Sequence, residues 1–121
     1  MGLRVLVVDD STVMRKILIR SLNAVGVMDI EEAADGERAI AAFGEGNFNL
    51  VLTDWNMPKT SGLEVVKAIR ALGSQIPIIM VTTEAERGRV TYAIAAGVTD
   101  YLAKPFDKDK LHAKLSKYVL L

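Results

Sequence analysis

A chain of 121 residues, half of them hydrophobic and a quarter charged, is long enough for one domain (residues 1–121) with a sizeable core. Fifteen basic residues balance fifteen acidic ones, so no positive field exists to draw in nucleic-acid phosphates. The absence of cysteine excludes disulfides and thiolate metal sites, and no apolar run approaches the roughly 18 residues that a membrane span needs.

From the N-terminus, Leu3–Val8 is a largely apolar run that ends in Asp9-Asp10 and reads as a buried strand, not as a signal peptide. Met14, Leu18, Leu22 and Val25 follow at helical spacing, a stripe that Ser11 or Thr12 can cap and Gly26 can close. A weaker strand, Val27–Ala33, precedes a short alanine-rich helix, Gly36–Phe43. Phe48–Thr53 is the third strand, and it runs into Asp54. Thr60 or Ser61 can cap the next helix, which carries Leu63, Val66 and Ile69. Ile76–Val81 is a fourth strand, followed by Thr82-Thr83 and a helix predicted over Glu84–Ala96 that Gly97 ends. Val98–Leu102 is a weaker fifth strand before Lys104-Pro105. Asp107 can cap a last helix with Leu111, Leu115 and Tyr118 on one face.

Five β-α units in alternation predict an α/β fold, a parallel sheet with helices on both faces. In such sheets ligands bind beyond the carboxyl ends of the strands. There the sequence places Asp9, Asp10, Asp54, Thr82, Thr83 and Lys104. Each alone has an ordinary explanation: Asp9, Asp10 or Thr82 as a helix cap, Asp54 as the start of a turn toward Pro58, Lys104 as a solvated surface lysine. Their convergence on one sheet edge is harder to dismiss. Two carboxylates about 4 Å apart repel by about 4 kcal/mol at an effective dielectric near 20, so such a cluster holds either protons or a cation. Oxygen ligands without His or Cys select a hard ion such as Mg²⁺. A carboxylate beside Mg²⁺ can attack phosphorus, while an ammonium group opposite suits the phosphoryl oxygens. Asp54 is the candidate nucleophile.

The stretches "VLVVDDS", "VLTDWNMPKTSG", "IPIIMVTTEAE" and "DYLAKPF", in this order over nearly the whole chain, resemble the receiver domain of bacterial two-component response regulators. "DWNMP" and "MVTTEAE" are especially similar to the single-domain chemotaxis regulators of that family. The resemblance implies a doubly wound, flavodoxin-like (βα)5 fold with strand order 2-1-3-4-5. It implies that Asp54 is the phosphoacceptor, that Asp9, Asp10, Asp54 and the backbone carbonyl of Asn56 hold Mg²⁺, and that Lys104 binds the phosphoryl group. Asp10 and Asp54 are the favoured direct ligands. The Lys104-Pro105 bond is expected to be cis, and Pro58 and Gly62 shape the loop after Asp54. Thr82 and Tyr101 match the family's switch pair, and Ala85, Arg89, Val90, Tyr101 and Lys114 match its output face. Thr83 stands where the family often has alanine, and Asn56 and Glu84 where it tunes dephosphorylation.

The implied partners are a CheA-like histidine kinase as phosphodonor, a target protein such as a flagellar motor switch component, and a phosphatase. The protein is expected in the cytoplasm as a monomer, without an output domain of its own, and not as an enzyme on external substrates. Passing phosphate onward is the alternative output. An aspartate-nucleophile phosphatase usually has a second aspartate where this chain has Asn56, which cannot act as a general acid. A flavin module would want a phosphate-binding loop where the acidic "DDST" stands. His112 is expected on the surface, away from the cluster. Trp55 is expected on the surface too, as a fluorescence reporter of Mg²⁺. The five methionines are gap fillers.

Overall fold

The computed structural model describes residues 2–83 and 88–121, with Val90 described by its backbone alone. Strands β1 (Arg4–Val8), β2 (Asp29–Ala33), β3 (Leu50–Asp54), β4 (Ile78–Thr83) and β5 (Asp100–Lys104) form one all-parallel sheet in the order 2-1-3-4-5. Helices α1 (Thr12–Ala24), α2 (Gly36–Glu45), α3 (Gly62–Ala71), α4 (Val90–Ala96) and α5 (Lys108–Leu115) each follow a strand. Glu84–Arg87, the first part of the fourth predicted helix, lie outside the described residues.

The continuous apolar runs arise because the central strands are buried on both faces, and alternate residues feed two cores. Val5, Val7, Leu52, Ile79 and Val81 point to one side and meet Leu18, Leu22, Leu111 and Leu115 of α1 and α5. Leu6, Val8, Val51 and Met80 point to the other and meet Ala39, Val65, Val66 and Ile69 of α2 and α3. Each fully buried aliphatic side chain contributes about 1.5–3 kcal/mol, so the sheet centre dominates stability. β2 lies at one edge and keeps only Ala33 fully buried. Arg4 holds Asp29 and Glu31, its guanidinium 3.1 Å from Glu31 and 4.5 Å over the Phe48 ring, and Arg15 holds Glu32 at 2.9 Å. β5 forms the other edge.

Helix starts follow capping chemistry. Ser11, Asp35, Ser61 and Asp107 each accept a backbone N–H from three residues on, and Ser61 with Glu64 makes a reciprocal capping box. Ser61→Ala is therefore expected to cost about 1 kcal/mol, read as a lower midpoint in urea unfolding. Gly97 closes α4 at φ 112°, a conformation in which a side chain would be strained. Among the described residues no helix is long and apolar enough to cross a membrane.

The observed strands sit later in the chain than the apolar runs. Val27, Phe48 and Val98 are buried but precede β2, β3 and β5, whereas Asp54, Thr82, Thr83 and Lys104 lie within strands. Apolar runs mark burial, while the ladder of backbone hydrogen bonds continues into polar residues at the carboxyl edge. That edge carries the site.

Candidate functional site

The strand order reverses between β1 and β3, and both strands end in carboxylates. Asp9 directly follows β1, and its N–H extends the pairing by donating to the Ala33 carbonyl at 3.2 Å. Its Oδ1 accepts the Ser11 N–H at 2.8 Å, and Arg15 donates to its backbone carbonyl at 2.7 Å. Asp54 is the last residue of β3 and is 9% exposed. Its Oδ1 accepts the Trp55 N–H at 2.9 Å and the Lys104 ammonium at 3.2 Å. In the β4–β5 register Lys104 lies opposite Thr83, so it reaches over the end of β4 to Asp54.

Carboxylate oxygens of Asp9, Asp10 and Asp54 lie within 4.8 Å of one another. Asp9 is 2% exposed, and its buried Oδ2 has no hydrogen-bond partner. Burial pushes the Asp9 carboxyl above its usual range. The Ser11 N–H opposes that shift, Asp54 reinforces it, Lys104 opposes it and Asp10 adds to it. A buried oxygen without a donor, among three acidic groups and one ammonium, fits a hard divalent cation.

The remaining sequence-predicted residues divide. Thr82 is fully buried one strand pair from Asp54, and its hydroxyl donates to the Thr83 carbonyl at 3.4 Å. Thr82 pairs with Ala103 and Met80 with Tyr101, so Thr82 and Tyr101 share a sheet face, with the small Ala103 side chain opposite the threonine in the ladder. Tyr101 is half-buried, and the Lys114 ammonium lies 5.1 Å from its ring centroid. Asn56 is exposed and accepts from the Arg89 guanidinium at 3.4 Å. The Lys104-Pro105 bond is cis. Ala85 and Glu84 fall outside the described residues, as does the side chain of Val90. His112 is exposed on α5, beside Ser116 and not at the pocket.

Trp55 is not on the surface. It is 5% exposed and packs into the core under α3, with the Arg89 guanidinium 5.6 Å from its ring. Its parity is that of Val51 and Thr53, which points the indole inward as if β3 continued, and the Gly62 N–H closes the loop onto the Trp55 carbonyl at 2.9 Å. That parity was the available signal. Sequence reasoning also passed over Asp100 and put Tyr118 on the apolar face of the last helix; α5 instead ends at Leu115, and the Tyr118 hydroxyl donates to the Asp100 carboxylate, with the Lys114 ammonium 3.2 Å away. Burial alone would raise the Asp100 carboxyl, but the Tyr118 hydroxyl, the Tyr101 N–H and Lys114 together hold it below its usual range.

A doubly wound sheet whose switch point gathers three acidic groups against one lysine is the architecture of a receiver-type domain. Residues 5–116 match the response regulator receiver domain family, and the chain belongs to it. It is 38% identical to the chemotaxis protein CheY of Pseudomonas aeruginosa over 117 residues, 95% of this chain and 94% of that one. Identity to CheY-3 of Vibrio cholerae is 39% over 118 residues, 96% and 91% of the two chains. Among solved structures, CheY4 of Vibrio cholerae superposes with a TM-score of 0.91 at 35% identity, covering 98% of this chain and all of that one. The receiver domain of the Pseudomonas aeruginosa sensor histidine kinase PA1611, solved with a magnesium ion coordinated in its active site cleft, gives 0.86 at 30% identity, with 98% of each chain covered.

Proposed function

We propose that this protein is a chemotaxis-type phosphorylation switch. Asp54 takes a phosphoryl group from the phosphohistidine of a histidine kinase, and the charge change alters the face that a target protein reads. The observation that carries this reading is the Asp54 carboxylate, placed between Asp9, Asp10 and the Lys104 ammonium at 3.2 Å. A carboxylate oxygen of Asp54 attacks phosphorus, a new O–P bond forms, and the P–N bond breaks with its electron pair returning to the donor imidazole. Lys104 then follows the negative charge from the carboxylate to the phosphoryl oxygens.

Asp9, Asp10, Asp54 and the Asn56 carbonyl would hold Mg²⁺, which when bound neutralises charge on the transferring oxygens. The orphaned Asp9 Oδ2 and the magnesium in the PA1611 receiver support that assignment. Phosphorylation adds about 1.5–2 negative charges and new acceptors. The Thr82 hydroxyl turns to donate to one of them, and Tyr101 moves along its shared face toward the space this leaves. The output face then comprises Ala85, Arg89, Val90, Tyr101 and Lys114. The names of the relatives favour a role in chemotaxis, and the family resemblance adds a CheA-like kinase as donor and a flagellar motor switch component as target. A phosphatase that shortens the signal is a further partner.

The test is intact mass after treatment with a small phosphodonor. Wild type with Mg²⁺ is expected to gain one phosphoryl group, and Asp54→Asn, or wild type with a chelator, is expected to gain none. An adduct of equal abundance in Asp54→Asn would overturn the assignment.

A further inference from the structure

The β5 edge of the sheet carries a device the family resemblance did not suggest. Along β5, Asp100 and Leu102 face α5, whereas Tyr101 faces the opposite core. Lys114 rises from α5 and spans that edge. Its ammonium is 3.2 Å from Asp100 Oδ1 on one side and 5.1 Å from the Tyr101 ring centroid on the other. Asp100 is itself fixed twice more. Its Oδ1 accepts the Tyr101 N–H at 2.7 Å, and its other oxygen accepts the Tyr118 hydroxyl. The carboxylate's hydrogen bond pushes the Tyr118 phenol up to about 12, so this donor keeps its proton across the working pH range.

We infer that Asp100, Lys114 and Tyr118 form a clip that holds the Tyr101 ring in its present position and so opposes the phosphorylated state. The inference rests on Tyr101 being the moving ring proposed above. Moving the ring toward Thr82 takes it from beneath the ammonium, and the cation–π contact is lost. Lys114 does not simply follow, because following means leaving a carboxylate that Tyr118 orients. Asp100, Lys114 and Tyr118 are thus positioning residues that act through Tyr101, and they set how far the unphosphorylated ensemble leans toward signalling.

The three tyrosines allow a direct test by fluorotyrosine labelling and fluorine NMR, with resonances assigned by single Tyr→Phe changes. Tyr118→Phe removes one hydroxyl, and Lys114→Met keeps an aliphatic stem but removes the charge. In both variants the Tyr101 resonance of the unphosphorylated protein is expected to move part of the way toward its phosphorylated position. Phosphorylation by a small donor should accelerate roughly two- to fivefold, the range that loss of an exposed cation–π contact supports. A purely structural role would lower the melting temperature and leave the resonance in place. If phosphorylation shifts Tyr101 in the wild type but the variants leave the unphosphorylated resonance unmoved, the clip is refuted and the switch stands. If phosphorylation leaves the wild-type resonance unmoved, the switch fails. The clip, which opposes that movement, then fails with it.

Discussion

Gly62→Ala is expected to destabilise the protein by about 2–3 kcal/mol and to cut phosphorylation of Asp54 at the same time. Gly62 opens α3 and is buried against the backbone that follows β3. A Cβ there would overlap the Asp54 carbonyl oxygen, and would stand 3.0 Å from the carbonyl carbon and 3.2 Å from Trp55 Cα. Backbone cannot swing aside as a long side chain can, so either α3 lifts or Asp54 moves. Lifting α3 costs packing of Val65, Val66 and Ile69, and moving Asp54 disturbs its 3.2 Å contact with Lys104. Urea unfolding and phosphodonor kinetics measure the two effects. A loss of stability below about 0.5 kcal/mol, the size of an ordinary surface change, would contradict this account.

Asp9→Asn is expected to act in opposite directions with and without metal. Without Mg²⁺ the ionised Asp9 is buried beside two other carboxylates, and Lys104 offsets only part of the repulsion. Removing that charge, while an amide oxygen can still accept the Ser11 N–H, should raise stability by about 1–3 kcal/mol, a fraction of the roughly 4 kcal/mol between close like charges. With Mg²⁺ in excess, wild type is expected to gain stability in proportion to occupancy, about 2.7 kcal/mol at 100 times the dissociation constant, and the variant much less. The pH dependence has a definite sign. The folded Asp9 carboxyl is raised above its usual value, so its contribution is favourable below that value and is lost as pH climbs through the raised one. Asp100 behaves oppositely: its contribution is present above the usual carboxylate value and is lost as pH falls through its depressed one. Thermal melts with Mg²⁺ and with chelator, across pH, check these expectations. A metal-free Asp9→Asn less stable than wild type near neutral pH would refute the charge argument.

Much of this molecule was legible in its sequence for a physical reason. Strands buried on both faces leave apolar runs, and five such runs separated by helical stripes leave few topologies. The boundaries were less legible. Val98 is buried before β5 begins, and Lys104 remains in the ladder although it is charged, so hydropathy placed that strand too early. Asp9, Asp10, Asp54 and Lys104 were found together because the parallel topology delivers all strand ends to one edge. Trp55 was misplaced because it was taken as loop, whereas its side chain keeps the alternation of β3. The Asp100–Tyr118 contact was invisible because the helical period carried Tyr118 onto the face of Leu111 and Leu115, whereas α5 ends at Leu115 and frees the hydroxyl to reach Asp100.

Among the described residues β5 pairs with β4 alone, and it carries Lys104 at its end and Tyr101 three residues earlier. One ribbon of backbone thus serves both the acidic pocket and the outer surface. Under the proposed function, a protein that clamps onto this border would also shift the equilibrium between free and phosphorylated Asp54, and by thermodynamic reciprocity the phosphoryl group would tighten its grip by the same free energy. The listener would then regulate the message it receives.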